Sequence, residues 1–235
     1  MTTKCKTEAP LGYKFHHEFQ PLWDLQNWKI YGYEGFFRSE GRNPEEIFSQ
    51  ARKLNYLFEL DTSSIQKAII NFPFWESHHL FLNIYPSTLL HKDWRGFFKG
   101  LISKNPRIIG QLILELNETQ EEERTWDIPE LQKEIIWLTQ LGFSIALDDV
   151  GKGAASLQKI VEFQPSVVKL DRYFSRELSE SVQKQKLVSL LSEYCLEEGI
   201  LLVMEGIETE IDLALSKKLK VSVGQGYLLG RPGPL

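Results

Sequence analysis

Short apolar runs in this chain repeatedly end in a group that could do chemistry. In order they are Phe81-Leu82-Asn83, Leu112-Ile113-Leu114-Glu115, Ile145-Ala146-Leu147-Asp148-Asp149, Val167-Val168-Lys169-Leu170-Asp171 and Leu201-Leu202-Val203-Met204-Glu205. A run of this length reads as a buried strand. A charge at its end is unfavourable unless something compensates it. One such ending is a strand running into solvent. The repetition, spaced by helix-length segments, predicts polar tips converging at one end of a parallel barrel. That arrangement is the mark of an enzyme, and the clustered carboxylates point to one that holds metal.

Strand period decides which tips can meet. Alternate residues share a face, so Phe81 pairs with Asn83, Ile113 with Glu115, Ala146 with Asp148, and Lys169 with Asp171. Asp149 faces the other way if its strand continues. A turn there would bring it into the site, and Gly151 just beyond supplies the conformational freedom for one.

The elements that must position these residues alternate along the chain. Residues 1–14 read as a loose arm and 15–235 as one domain. Phe19–Leu25 and Lys29–Phe37 form two strands joined at Gln26-Asn27. A helix follows over Pro44–Leu57, opened by Asn43-Pro44, and another runs from an Asp61 N-cap to Asn71. Later strands are expected at Leu80–Ile84, Gln111–Leu116, Phe143–Leu147, Ser166–Leu170, Leu201–Met204 and Val221–Val223. Helices lie between them, the one before Gly199 ending there. The fold class is therefore α/β, a modified (β/α)8 TIM barrel with an antiparallel first strand. Five histidines, His16, His17, His78, His79 and His91, are expected on the surface.

Composition bounds the rest. The 235 residues suffice for one such barrel, and a net charge of −5 argues against a face for duplex DNA or RNA. Cys5 and Cys195 are too far apart for a metal-ligand pair, consistent with a reduced compartment. The N-terminal stretch lacks an apolar signal core. No run approaches the roughly 20 apolar residues that span a bilayer. The expectation is a cytoplasmic protein with no membrane contact.

Glu34-Gly35-Phe36, Asn83, Leu114-Glu115-Leu116-Asn117-Glu118, Asp148-Asp149-Val150-Gly151, Val168-Lys169-Leu170-Asp171, Glu205-Gly206-Ile207-Glu208-Thr209 and Gln225-Gly226-Tyr227 occur in this order. The ordered set resembles the EAL-domain family of phosphodiesterases, which hydrolyse the second messenger cyclic di-GMP, and the resemblance runs from about Phe19 to Pro232. It implies two divalent cations, Mg2+ or Mn2+. Glu34, Asn83, Glu115 and Asp148 would hold the first; Asp148, Asp149 and Glu205 would hold the second. Lys169 would sit beside the attacking water, making Lys169, Glu205 and Glu34 the catalytic residues. Arg38, Phe36 and Gln225 would contact substrate or its ordered water. Glu118 would anchor the loop after Asp149, and Asp171 and Glu208 would support Lys169. A homodimer is also implied. Hard oxygen ligands without a His/Cys cluster agree with Mg2+ or Mn2+ rather than zinc.

Two departures bear on function. The family's Glu-Ala-Leu triplet stands here as Glu34-Gly35-Phe36, and its loop Asp-Asp-Phe-Gly-Thr-Gly-Tyr-Ser-Ser as Asp148-Asp149-Val150-Gly151-Lys152-Gly153-Ala154-Ala155-Ser156. The altered Val150–Ala155 loop leaves an alternative open: a weak or inactive module that binds cyclic di-GMP or a protein partner.

Overall fold

Alternating strands and helices close into a barrel. The computed structural model describes residues 14–116, 120–126, 129–151 and 156–235. All but the last residue of the expected arm lies outside them. The chain enters through a hairpin, β1 (Phe15–Asp24) and β2 (Lys29–Ser39). Its turn is tied by the Asp24 carboxylate, which accepts from the Gln26 and Asn27 N–H groups, both at 2.9 Å. Then follow α1 (Pro44–Lys53), α2 (Leu57–Asn71), β3 (His79–Ile84), α3 (Pro86–Leu89), α4 (Trp94–Lys104), β4 (Leu112–Leu116), α5 (Glu123–Trp126) and α6 (Pro129–Gln140). The second half holds β5 (Ser144–Val150), α7 (Ser156–Phe163), β6 (Val167–Leu170), α8 (Val182–Glu197), β7 (Leu201–Met204), α9 (Glu210–Lys218) and β8 (Val223–Gly224).

The strands neighbour one another in chain order, and β8 closes on β1. β1 is antiparallel to both its neighbours; the other pairings are parallel. The reversal follows from the hairpin, since a two-stranded turn cannot carry the crossover a parallel pair needs.

Two apolar layers hold the site in place. Inside the barrel, Leu22, Phe81, Ile113, Ala146, Val167, Val203 and Val223 form a plug. Outside it, strand residues such as Leu114, Leu147 and Val168 share a core with Trp94 and Phe98 of α4 and with Phe143, just before β5. Each buried Leu, Val or Phe contributes about 1.5–3 kcal/mol. Two positions beyond plug residues, period two places Asn83, Glu115, Lys169, Glu205 and Gln225 in the next layer. The polar tips therefore rest on a dry floor.

Several local expectations are corrected. The first helix ends at Lys53, because the chain reverses at Asn55, whose φ of 59° is left-handed. Asp61 is no N-cap: it lies inside α2, buried, and its carboxylate accepts the Tyr85 N–H at 3.1 Å. His17 is not on the surface but buried in β1, 2.9 Å from the Ser64 hydroxyl, and His79 opens β3, stacked on Tyr31. Among the described residues no helix is long and apolar enough to cross a membrane.

Candidate active site at the C-terminal strand ends

Lys169 is the centre of the polar layer. Its Nζ lies 3.1 Å from Glu34, 2.8 Å from Glu115, 3.0 Å from Asp148 and 2.7 Å from Glu205. Lysine and glutamates 34 and 115 are buried. Burial opposes the lysine's charge, and Asp148, Glu115, Glu205 and Glu34 outweigh it, holding the ammonium well above the ordinary lysine range. Burial, then the neighbouring Glu34, pushes the Glu115 carboxyl well up. Burial raises Glu205 to about 8, against the pull of Lys169 and with Asp148 and Glu34 adding to the rise.

Amides line one wall. Asn83 Nδ2 donates to Glu34 Oε1 at 3.2 Å, and Gln225 Nε2 donates to Glu34 Oε2 at 2.9 Å. Gln225 Nε2 also donates to Gln20 Oε1 at 3.1 Å, while Gln20 Nε2 donates to the Gly230 carbonyl at 2.8 Å. This chain of bonds fixes the Gln225 amide, leaving its buried Oε1 without a hydrogen-bond partner. Gln20 was missed in the sequence. Its signal was available in the hairpin register, which sets it opposite Glu34.

The aspartate pair is resolved by a bulge. β5 pairs Leu147 with Val168 and Val150 with Leu170, so Asp148 and Asp149 together face the single Lys169. Asp149 adopts φ 54° and is half-buried. The expected turn thus begins at Asp149 itself. Gly151 follows at φ 102°, where a Cβ would lie 2.2 Å from the Phe174 ring, so glycine is required there. Residues 152–155 of the altered loop, and Glu118, lie outside the described residues.

The cluster opens into a cavity of about 330 Å3, lined among others by Glu34, Phe36, Asp148, Glu205, Glu208 and Gln225. Arg172 and Tyr227 also line it and were not singled out in the sequence. Arg38 lies in a second cavity of about 270 Å3 that meets the first at Phe36. It pairs with Glu18 at 2.7 Å and packs 5.2 Å from the Phe36 ring centre. Asp171 holds the turn after β6, its carboxylate accepting the Tyr173 N–H at 2.8 Å. Glu34, Asn83, Glu115, Asp148, Lys169, Glu205 and Gln225 are thus brought together, with Phe36 and Glu208 at the rim; Arg38 and Asp171 are engaged elsewhere.

Among the described residues no acidic or histidine groups converge as a ready metal cage; the carboxylates converge on Lys169. The donor set nonetheless fits a hard divalent cation. Both Glu115 oxygens and Asp148 Oδ1 are buried without an aligned hydrogen bond. Four carboxylates face one ammonium, an imbalance a bound cation would offset.

A parallel barrel with one reversed strand and a carboxylate–lysine cluster at its mouth defines an α/β barrel with a charged site at the C-terminal strand ends. The model of the EAL domain matches residues 8–232, and the chain belongs to that family. It is 31% identical over 158 residues to the "Probable cyclic di-GMP phosphodiesterase PdeA" of Escherichia coli, covering 66% of this chain and 21% of that protein. It is 27% identical over 194 residues to the "Cyclic di-GMP phosphodiesterase PdeA" of Borreliella burgdorferi, covering 81% of this chain and 28% of that protein. The chain therefore spans less than a third of either relative. Among solved structures, the Klebsiella pneumoniae BlrP1 calcium/cyclic di-GMP complex superposes with a TM-score of 0.83 at 25% identity, over 96% of this chain and 57% of that one. A manganese/cyclic di-GMP complex of BlrP1 superposes equally well, at 24% identity over 96% and 58%.

Proposed function

We propose that this domain is a metal-dependent phosphodiesterase that hydrolyses cyclic di-GMP to linear pGpG. The observation that carries it is the buried cluster of Glu34, Glu115, Asp148 and Glu205 around Lys169 at the mouth of the barrel. Glu34, Asn83, Glu115, Asp148, Asp149 and Glu205 would hold two Mg2+ or Mn2+ ions. Bound there, such a pair lowers the pKa of water and stabilises attacking and leaving oxygens.

The chain's own residues prepare the rest. Lys169 places a positive charge among the carboxylates, where it would hold and orient the attacking water or transfer its proton. The Gln225 amide, fixed by Gln20 and Glu34, presents Oε1 as an acceptor beside the cluster. Phe36 supplies an apolar wall next to the scissile region, and Arg38 a guanidinium suited to phosphate at the shared rim. Asp171 and Glu208 act as supports, the first by fixing the turn after Lys169, and Glu118 anchors the loop after Asp149. The domain works in the cytoplasm as a homodimer, without duplex nucleic acid or membrane as partner.

A second reading is a module that binds the dinucleotide or a protein without cleaving it. It is favoured by the altered sequence Val150–Ala155, where Lys152 and Ala154-Ala155 replace the family's Thr and Tyr-Ser. Turnover of cyclic di-GMP with Mg2+, Mn2+ or chelator, read by chromatography, decides between them. Metal-dependent pGpG, abolished by Glu34→Ala and by Glu205→Ala, supports the enzyme. Tight binding without product in either metal supports the module.

A further inference from the structure

Outside the carboxylate–lysine cluster, the described residues hold a second wholly buried carboxylate engaged by several donors. Glu122 comes seven residues after Glu115, in a 3-10 turn (Gln120–Glu122) between β4 and α5. Its Oε2 accepts the Ser87 N–H at 2.8 Å, its Oε1 accepts the Ser87 hydroxyl at 2.7 Å, and the Arg52 guanidinium closes on the same Oε1. Arg52 belongs to α1 and also lies 5.2 Å from the centre of the Tyr85 ring. Ser87 follows Asn83 by four residues, in the turn that leaves β3. The same turn is held from its other side by Asp61, which accepts the Tyr85 N–H.

This arrangement ties three segments, α1, α3 and the 3-10 turn after β4. Asn83 and Glu115 are paired across β3 and β4, one pair before the ladder ends at Ile84 and Leu116. Beyond those ends, Glu122 joins the two exits directly. A buried carboxylate accepting from a backbone N–H, a hydroxyl and a guanidinium is fully compensated, and hydrogen bonds to an ionised group are the stronger kind. Removing its charge would leave Arg52 facing a neutral amide and the β3 and β4 exits free to drift.

We propose that Glu122 is a positioning residue: with Arg52 and Ser87 it fixes the spacing of Asn83 and Glu115, and so sets the affinity of the site for a divalent cation. The proposal rests on the metal-dependent reading above. Glu122 touches neither ligand; it acts through Ser87, four residues after Asn83, and through its own 3-10 turn after β4. Support of this kind around a metal site typically changes affinity by about 10–100-fold.

The test is calorimetric titration of Mn2+ into the purified full chain and into Glu122→Gln, Arg52→Lys and Ser87→Ala, with each variant's thermal midpoint measured alongside. Glu122→Gln should weaken Mn2+ about tenfold or more, Ser87→Ala less, while each variant stays folded. At saturating Mn2+, kcat should recover and the KM for cyclic di-GMP should stay near the wild-type value. A Ser216→Ala control removes a buried hydroxyl bonded to the Asp212 carbonyl, away from the site, and should leave Mn2+ affinity unmoved. Wild-type Mn2+ affinity in folded Glu122→Gln and Ser87→Ala would overturn the positioning role alone. If Glu122→Gln does not fold, the outcome rests on Ser87→Ala and Arg52→Lys. Absence of Mn2+ binding by the wild type would overturn the metal-dependent reading, and the inference with it.

Discussion

Lys169 has three N–H donors, and four carboxylates lie within 3.1 Å of them. At least one carboxylate is therefore short of a hydrogen bond, which is why buried oxygens of Glu115 and Asp148 stand without an aligned partner. The lysine is the cation that meets all four, while the Asn83 and Gln225 amides donate to Glu34. Lys169→Met should lower stability by about 3–5 kcal/mol at alkaline pH, the range for stripping one partner from buried charges. The loss should shrink on acidification, as the carboxylates protonate and need no counter-charge. Urea denaturation at two pH values measures it, and an equal loss at both would exclude charge as the cause. Gln20→Leu is the complementary probe. It removes the acceptor that orients Gln225 but touches no carboxylate, so kcat should fall while Mn2+ affinity changes little; an unchanged kcat would deny Gln20 that role. Glu115, Asp148, Lys169 and Glu205 were legible because they lie at the ends of apolar runs, and Glu34 only through the family motif. Gln20 was marked only by the hairpin register, and Glu122 by nothing local, because its partners are remote in sequence.

At the scale of elements, the strand ends were readable and the helix faces were not. β-strands announce themselves through apolar runs, whereas α2 looked like a helix beginning at Asp61 when it in fact begins at Leu57 and carries Asp61 on its buried face. The preference of aspartate for an N-cap lost to the demand of the Tyr85 N–H for an acceptor. One turn on, Ser64 meets His17 of β1, so α2 touches two buried titratable groups, its own Asp61 and His17. They pull stability in opposite directions with pH. Burial, against the Tyr85 hydrogen bond, raises Asp61 from 3.8 to about 7. The folded state then binds the extra proton between those values, and stability is lost as pH rises through them. Burial, with Lys67 and His16 adding, lowers His17 from 6.5 to about 3, so the unfolded state binds the extra proton and stability is lost as pH falls through that window. Relative to wild type, Asp61→Asn should gain about 1.4 kcal/mol per pH unit as pH rises from near 4 to 7. His17→Gln should gain in the reverse sense as pH falls below 6.5. Parallel stability profiles for either variant and the wild type would show that the group does not titrate as its surroundings dictate.

For the whole molecule, the barrel and its closure were legible from strand count and spacing, but the sequence does not say how copies of the chain meet. The helices after β5 and β6 leave apolar side chains in water. Leu157 and Val161 on α7 lie one turn apart, and on α8 Leu187, Leu190 and Tyr194 recur at three- and four-residue spacing along one exposed stripe. Val188 and Cys195 of α8 face inward, so the outer stripe is not needed for the core. Exposed apolar residues in register on one helix are the usual sign of a buried partner surface. α7 and α8 flank β6, which carries Lys169, and α7 directly follows the altered loop, so contact between copies across these helices would reach the site through the elements that hold it. The homodimer implied by the family resemblance is accordingly expected to form through this stripe. Sedimentation velocity should show a dimer that Leu190→Glu converts to monomer, with the thermal midpoint nearly unchanged because Leu190 is mostly exposed within one copy. A wild-type chain that remains monomeric at high concentration would remove α8 as the contact and leave the site to work, or fail, on its own residues.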